Sequence, residues 1–176
     1  MQKNVFKQKF YHSCLVTSLL MISGAENQEL EEKIFFEAEK SDFDFYLNSI
    51  LASFVKNTGK SLNVFVDNKF FSEKLFNNLK KYSNKIIIVH KPINSDLIIE
   101  TLNIGPFVIH IDDNYLGDYS HASHFVVANS IRKDGKLEIL DPADGKRKYL
   151  SMEKLLESVN SLKKHIKMCP VIITVE

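Results

Sequence analysis

Apolar positions along this 176-residue chain change their spacing about a third of the way along. Up to about residue 59 they follow helical intervals. Leu15-Val16-Thr17-Ser18-Leu19-Leu20-Met21-Ile22 is an apolar run that reads as a buried helix, with Ser13 placed to cap it and Gly24 to end it. A second helix is expected from about Asn27 to Ser41, with Leu30, Ile34, Phe35 and Ala38 on one face and Glu29, Glu31, Glu32, Lys33 and Glu37 mostly on the other. Asp42 or Asp44 would cap a third helix through Phe45, Leu47, Ile50, Leu51, Phe54 and Val55, ended by Thr58-Gly59.

From Leu62 the texture turns to short β-branched and aromatic runs separated by helices. Strands are expected at 62–66, 86–89, 107–111 and 171–175, and helices at about 71–82, at 95–102 capped by Ser95, and after Ser151. The clearest local signal is a hairpin. Phe125 to Ile131 and Lys136 to Leu140 flank Lys133-Asp134-Gly135, and Asp-Gly between apolar runs favours a tight turn with positive φ. Helices first and antiparallel sheet second predict an α+β fold in which a buried N-terminal helix packs on the sheet, and no repeat or linker divides residues 1–176, so one domain is expected.

Composition narrows the function classes. Lys and Arg number 23 against 22 Asp and Glu, so the overall charge favours neither nucleic acid nor an anionic membrane as partner. The first eight residues contain no uninterrupted apolar segment, and the run after Cys14 is too short to span a bilayer and late for a signal peptide. Two cysteines, Cys14 and Cys169, are the usage of a reducing compartment. The expected location is cytoplasmic, with signal-independent export as an effector as the alternative.

The chemistry gathers at both ends of the chain. Cys14 opens the buried helix, where backbone N–H groups and the helix dipole favour a thiolate. A thiol nucleophile needs a base, and of the six histidines His124 is favoured, because it heads a strand that can fix its ring, whereas His121 stands in the loop before it. Asp141 ends the partner strand of the hairpin, so pairing across Asp134-Gly135 predicts that His124 and Asp141 are neighbours, the carboxylate orienting the imidazole. Gln8, six residues before the Cys, is the candidate oxyanion donor beside the Cys14 N–H. The acids Asp112, Asp113 and Asp118 match no calcium-loop spacing and read as a solvated loop, and the histidines form no zinc pattern, so neither metal nor cofactor is expected.

These stretches resemble the papain-like cysteine peptidases, and within them the stand-alone relatives of the bacteriocin-leader-processing (double-glycine) peptidases. The resemblance rests on Val5 to Gln8 through Met21, on His124-Phe125-Val126-Val127, and on Leu140-Asp141-Pro142-Ala143-Asp144-Gly145 with the helix start at Ser151-Met152-Glu153. It implies Cys14 as nucleophile, His124 as base, Asp141 as orienting acid, Gln8 in the oxyanion hole, and a peptide or protein as substrate. Leu15 departs from the Gly usual after the nucleophile, which raises the prospect of a narrowed cleft. The expected activity is hydrolysis of peptide or isopeptide bonds through an acyl-enzyme; the alternatives are an acyltransferase or transglutaminase-like use of the same site, or an inactive binding module.

Overall fold

The fold is described from a computed structural model covering residues 4–117 and 120–176. Three helices open it: α1 (Cys14–Ile22), α2 (Glu29–Glu39) and α3 (Tyr46–Thr58). Then come β1 (Leu62–Val66), α4 (Lys69–Leu79), β2 (Ile86–His90), α5 (Ser95–Ile104), β3 (Phe107–Asp112), β4 (Ser123–Ile131), β5 (Leu137–Asp141), β6 (Lys146–Leu150), α6 (Met152–Ser161) and β7 (Val171–Val175). The class is α+β, as expected. Helices α4, α5 and α6 lie between strands in the chain, where the sequence reading puts them.

All seven strands form one sheet in the order β2-β1-β7-β3-β4-β5-β6. Every pairing is antiparallel except that of β1 with β2. Alternation along the strands divides the apolar residues between two faces. Leu62, Val64, Val108, Val127, Leu140 and Ile173 pack with Leu15, Leu19, Ile34, Ile50, Phe54 and Leu75 from the first four helices. Ile109, Ile111, Val126, Ile139 and Ile172 pack with Leu97 and Ile98 of α5 and Leu155 and Val159 of α6. The central strands are covered on both sides, which is why they read as continuous apolar runs.

Several local expectations are corrected. Asn94, not Ser95, caps α5 by accepting from the Leu97 N–H, because its oxygen reaches the third residue beyond it. Phe45, not Asp42 or Asp44, occupies the N-cap position of α3, without a side-chain cap bond. Strand β6 was not expected; its sequence Lys-Arg-Lys-Tyr-Leu is polar because it is the sheet's edge, paired only with β5. Glu31, assigned to the outer face of α2, is fully buried. Among the described residues no helix is long and apolar enough to cross a membrane.

Candidate active site

The nucleophile candidate Cys14 is the first residue of α1 and is partly exposed. Ser13 before it is buried and does not cap its own helix with its side chain. Its hydroxyl instead donates to Glu31 Oε1 at 2.6 Å and accepts from the Phe10 N–H at 3.1 Å. Leu15 is fully buried in the helix-side core, so its side chain presents no accessible surface beside the thiol. Immediately after a partly exposed Cys, that inward direction follows from helical geometry.

His124 and Asp141 meet through the hairpin. Val127 pairs with Leu140 and Ala128 with Ile139; continuing that register sets Asp141 opposite Val126, and His124 is the diagonal neighbour on the same face. Nε2 of His124 donates to Asp141 Oδ1 at 2.8 Å, with both side chains buried. Nε2 being engaged, Nδ1 is the nitrogen left for the thiol, and the Cys14 side chain is near enough to raise the His124 pKa. Burial disfavours the imidazolium, but the hydrogen bonds and charges of Asp141 and Cys14 outweigh it and raise the His124 pKa to about 10.

Asp141 is held on every side. Its Oδ1 also accepts the Ala143 N–H at 2.8 Å, and its Oδ2 accepts from Lys148 Nζ at 2.6 Å. Burial alone would raise its pKa, yet these partners bring it down to about 2. Lys148 lies on the unexpected strand β6, diagonal to Asp141 as His124 is on the other side. The Asp144-Gly145 turn, with Gly145 at φ +70°, was the sequence signal that could have revealed it.

Gln8 is tied to the same corner, since its backbone N–H donates to the carbonyl of Pro142, next to Asp141. Its side-chain amide is turned into its own loop, Nε2 donating to the carbonyls of Phe10 (2.9 Å) and Tyr11 (2.8 Å), while Oε1 is buried without a partner among the described residues. The acidic loop departs from expectation. Asp112 is fully buried and accepts from His121 Nδ1 (2.6 Å) and the Ser161 hydroxyl (2.5 Å). Asp118 lies outside the described residues. Asp113 sits beside the histidine–aspartate pair; burial and the neighbouring Asp141 raise its pKa, partly offset by His124. One ligand atom each from Asp113, His124 and Asp141 falls within 4.8 Å of the others, a geometry that could hold a metal ion. Any such ion would have to displace the proton that His124 gives Asp141 and work against Lys148.

His110 resolves as a core histidine. Its ring stacks on Phe125 at 4.2 Å, Nδ1 donates to the Cys169 carbonyl (3.2 Å), and Nε2 accepts from the Ser123 hydroxyl (2.7 Å). His110 and Ser123 form part of the wall of a cavity of about 720 Å³ that Tyr46, Phe71, Phe125 and Cys169 also line.

A thiol beside a histidine–carboxylate pair, on helices packed against a largely antiparallel sheet, is the layout of papain-like cysteine peptidases. The family model described as the Peptidase C39 family matches residues 71–158, half of the chain, and the chain belongs to that family. The protein is therefore a cysteine peptidase. The matched stretch contains His124 and Asp141 and ends upstream at Phe71, short of Gln8 and Cys14. No curated protein matches the chain.

Proposed function

We propose that the protein cleaves peptide or isopeptide bonds with Cys14 as nucleophile, His124 as base and acid, and Asp141 as the carboxylate that orients the ring. The observation that carries this reading is His124 itself, hydrogen-bonded to Asp141 at 2.8 Å, with the Cys14 side chain near enough to raise its pKa. The Cys14 thiolate attacks the carbonyl carbon, and the C–O π pair moves to oxygen. That oxyanion is received by the Cys14 N–H and by the Gln8 amide, one of whose two N–H bonds to the Phe10 and Tyr11 carbonyls is exchanged for it. As the tetrahedral intermediate collapses, the C–N bond breaks and the His124 imidazolium gives its proton to the leaving amine. Water, deprotonated by the now neutral His124, then hydrolyses the thioester.

Leu15 does not argue for a blocked cleft, because it is buried behind the thiol. Replacing Cys14 by Ala is expected to abolish both iodoacetamide labelling at that position near neutral pH and hydrolysis of a peptide library. Cys169 serves as an internal control, since burial pushes its thiol pKa up. Peptide hydrolysis that survives Cys14→Ala would overturn the reading.

A further inference from the structure

Glu31 is a buried carboxylate that the proposed chemistry does not use. It lies in the first turn of α2 and has no accessible surface. A carboxylate taken out of water is costly unless it is well hydrogen-bonded. No ion pair to Glu31 occurs among the described residues; hydrogen-bond donors hold it instead. Oε1 accepts the Lys9 N–H at 2.7 Å and the Ser13 hydroxyl at 2.6 Å, and Oε2 accepts Gln28 Nε2 at 2.7 Å. Gln28 Nε2 also donates to the Lys7 carbonyl at 2.7 Å.

Two of these donors, Lys9 and Ser13, come from the segment between Gln8 and Cys14; the third, Gln28 at the N-cap of α2, ties Glu31 to the Lys7 carbonyl just before it. Lys9 and Ser13 bracket Phe10 and Tyr11, whose carbonyls hold the Gln8 amide. Ser13 is the residue before the thiol, and its backbone carbonyl accepts the Thr17 N–H that begins α1. We propose that Glu31 is the positioning residue of the oxyanion hole, fixing the 7–13 loop so that the Gln8 amide and the Cys14 N–H converge on one point. This rests on the reading of Cys14 and Gln8 given above. Glu31 itself touches neither thiol nor substrate.

Two small probes separate this role from a merely structural one. Iodoacetamide alkylates a thiolate by displacement at carbon and develops no oxyanion, whereas acylation by p-nitrophenyl acetate passes through a tetrahedral oxyanion. Glu31→Gln puts an amide N–H₂ against the Gln28 amide and removes the charge that draws in Lys9 and Ser13. The expected result is a fall in the acylation rate of at least about 10-fold, with alkylation of Cys14 changed less than about 3-fold. Gln8→Ala should lower acylation by roughly 100-fold, the cost of losing one oxyanion donor. The Glu31→Gln, Gln8→Ala double variant should lose little beyond Gln8→Ala, because Glu31 acts through Gln8.

Should Glu31→Gln fail to fold, Gln28→Ala keeps the carboxylate but frees Oε2 and Lys7, and is expected to give a smaller loss with the same selectivity for acylation. Equal losses in both reactions, an unchanged acylation rate, or fully multiplicative effects with Gln8→Ala would each overturn the assignment of Glu31. Absence of iodoacetamide labelling at Cys14 in the wild type would overturn the underlying nucleophile instead.

Discussion

His124 is bonded to the Asp141 carboxylate, and its raised pKa sets both a stability and an activity window. The imidazolium is stabilised in the fold relative to the unfolded chain, so this contribution is fully present below about 6.5 and is lost as pH rises through about 10. Asp141, brought down to about 2, contributes stability that is present above the ordinary carboxylate range and lost only as pH falls through about 2. Activity that needs the imidazolium should therefore persist well into the alkaline range, with its upper limb near pH 10. Asp141→Asn keeps a hydrogen-bond acceptor but removes the charge, and should move that limb down by more than about one pH unit. A pH series of peptide-library hydrolysis, in which the leaving amine takes the imidazolium proton, reads it. A limb that stays put would mean that Asp141 orients the ring without stabilising its charge.

The element scale shows what could be read in advance and what could not. The β4–β5 hairpin was legible because Asp134-Gly135 marks its turn and apolar residues mark its arms; from it the meeting of His124 and Asp141 follows by register alone. Strand β6 escaped because an edge strand needs little apolar surface, and Lys148 escaped with it. Glu31 did carry a signal. Residues 31, 34, 35 and 38 have the spacing of one helix face, and only its charge argued for placing it outside. The orientation of the Gln8 amide was not legible, since it depends on carbonyls of a loop without periodicity. The β5–β6 turn and the N-terminal segment also meet closely: a Cβ on Gly145 would lie 3.0 Å from Lys7 Cβ, in a backbone with φ +70°. Gly59, with φ +69°, has nothing within 4 Å of such a Cβ. Gly59→Ala should cost about 1–2 kcal/mol for the left-handed backbone alone. Gly145→Ala should cost measurably more by urea unfolding and should also slow acylation, because Lys7 adjoins Gln8. Equal costs for the two variants would show that Lys7 yields without resistance.

Across the whole molecule, the site joins a helix near the start of the chain to strands more than a hundred residues later, so its geometry exists only once the sheet has closed over α1. Ser18 reinforces this closure by donating to the Phe125 carbonyl at 3.1 Å, one residue from His124. Phe125 in turn stacks on His110, which is buried where β3, β4 and the approach to β7 meet. Burial and the nearby His124 push the His110 pKa down to about 4, though the bond to the Cys169 carbonyl opposes this. A neutral ring is also what the hydrogen bonds require, with Nδ1 donating and Nε2 accepting from Ser123. In the unfolded chain the same histidine takes up its proton near 6.5, so between there and about 4 the unfolded state binds more protons and stability falls with pH. The gap from 6.5 to about 4 corresponds to at most roughly 3 kcal/mol. His110→Gln should be less stable than wild type at pH 7, for lost stacking on Phe125, yet lose less stability between pH 7 and 4.5. Urea unfolding at the two pH values tests this, and parallel losses in the two proteins would place the acid sensitivity elsewhere, with Asp112, whose pKa is lowered by its bonds to Ser161 and His121 against the effect of burial, the next group to examine.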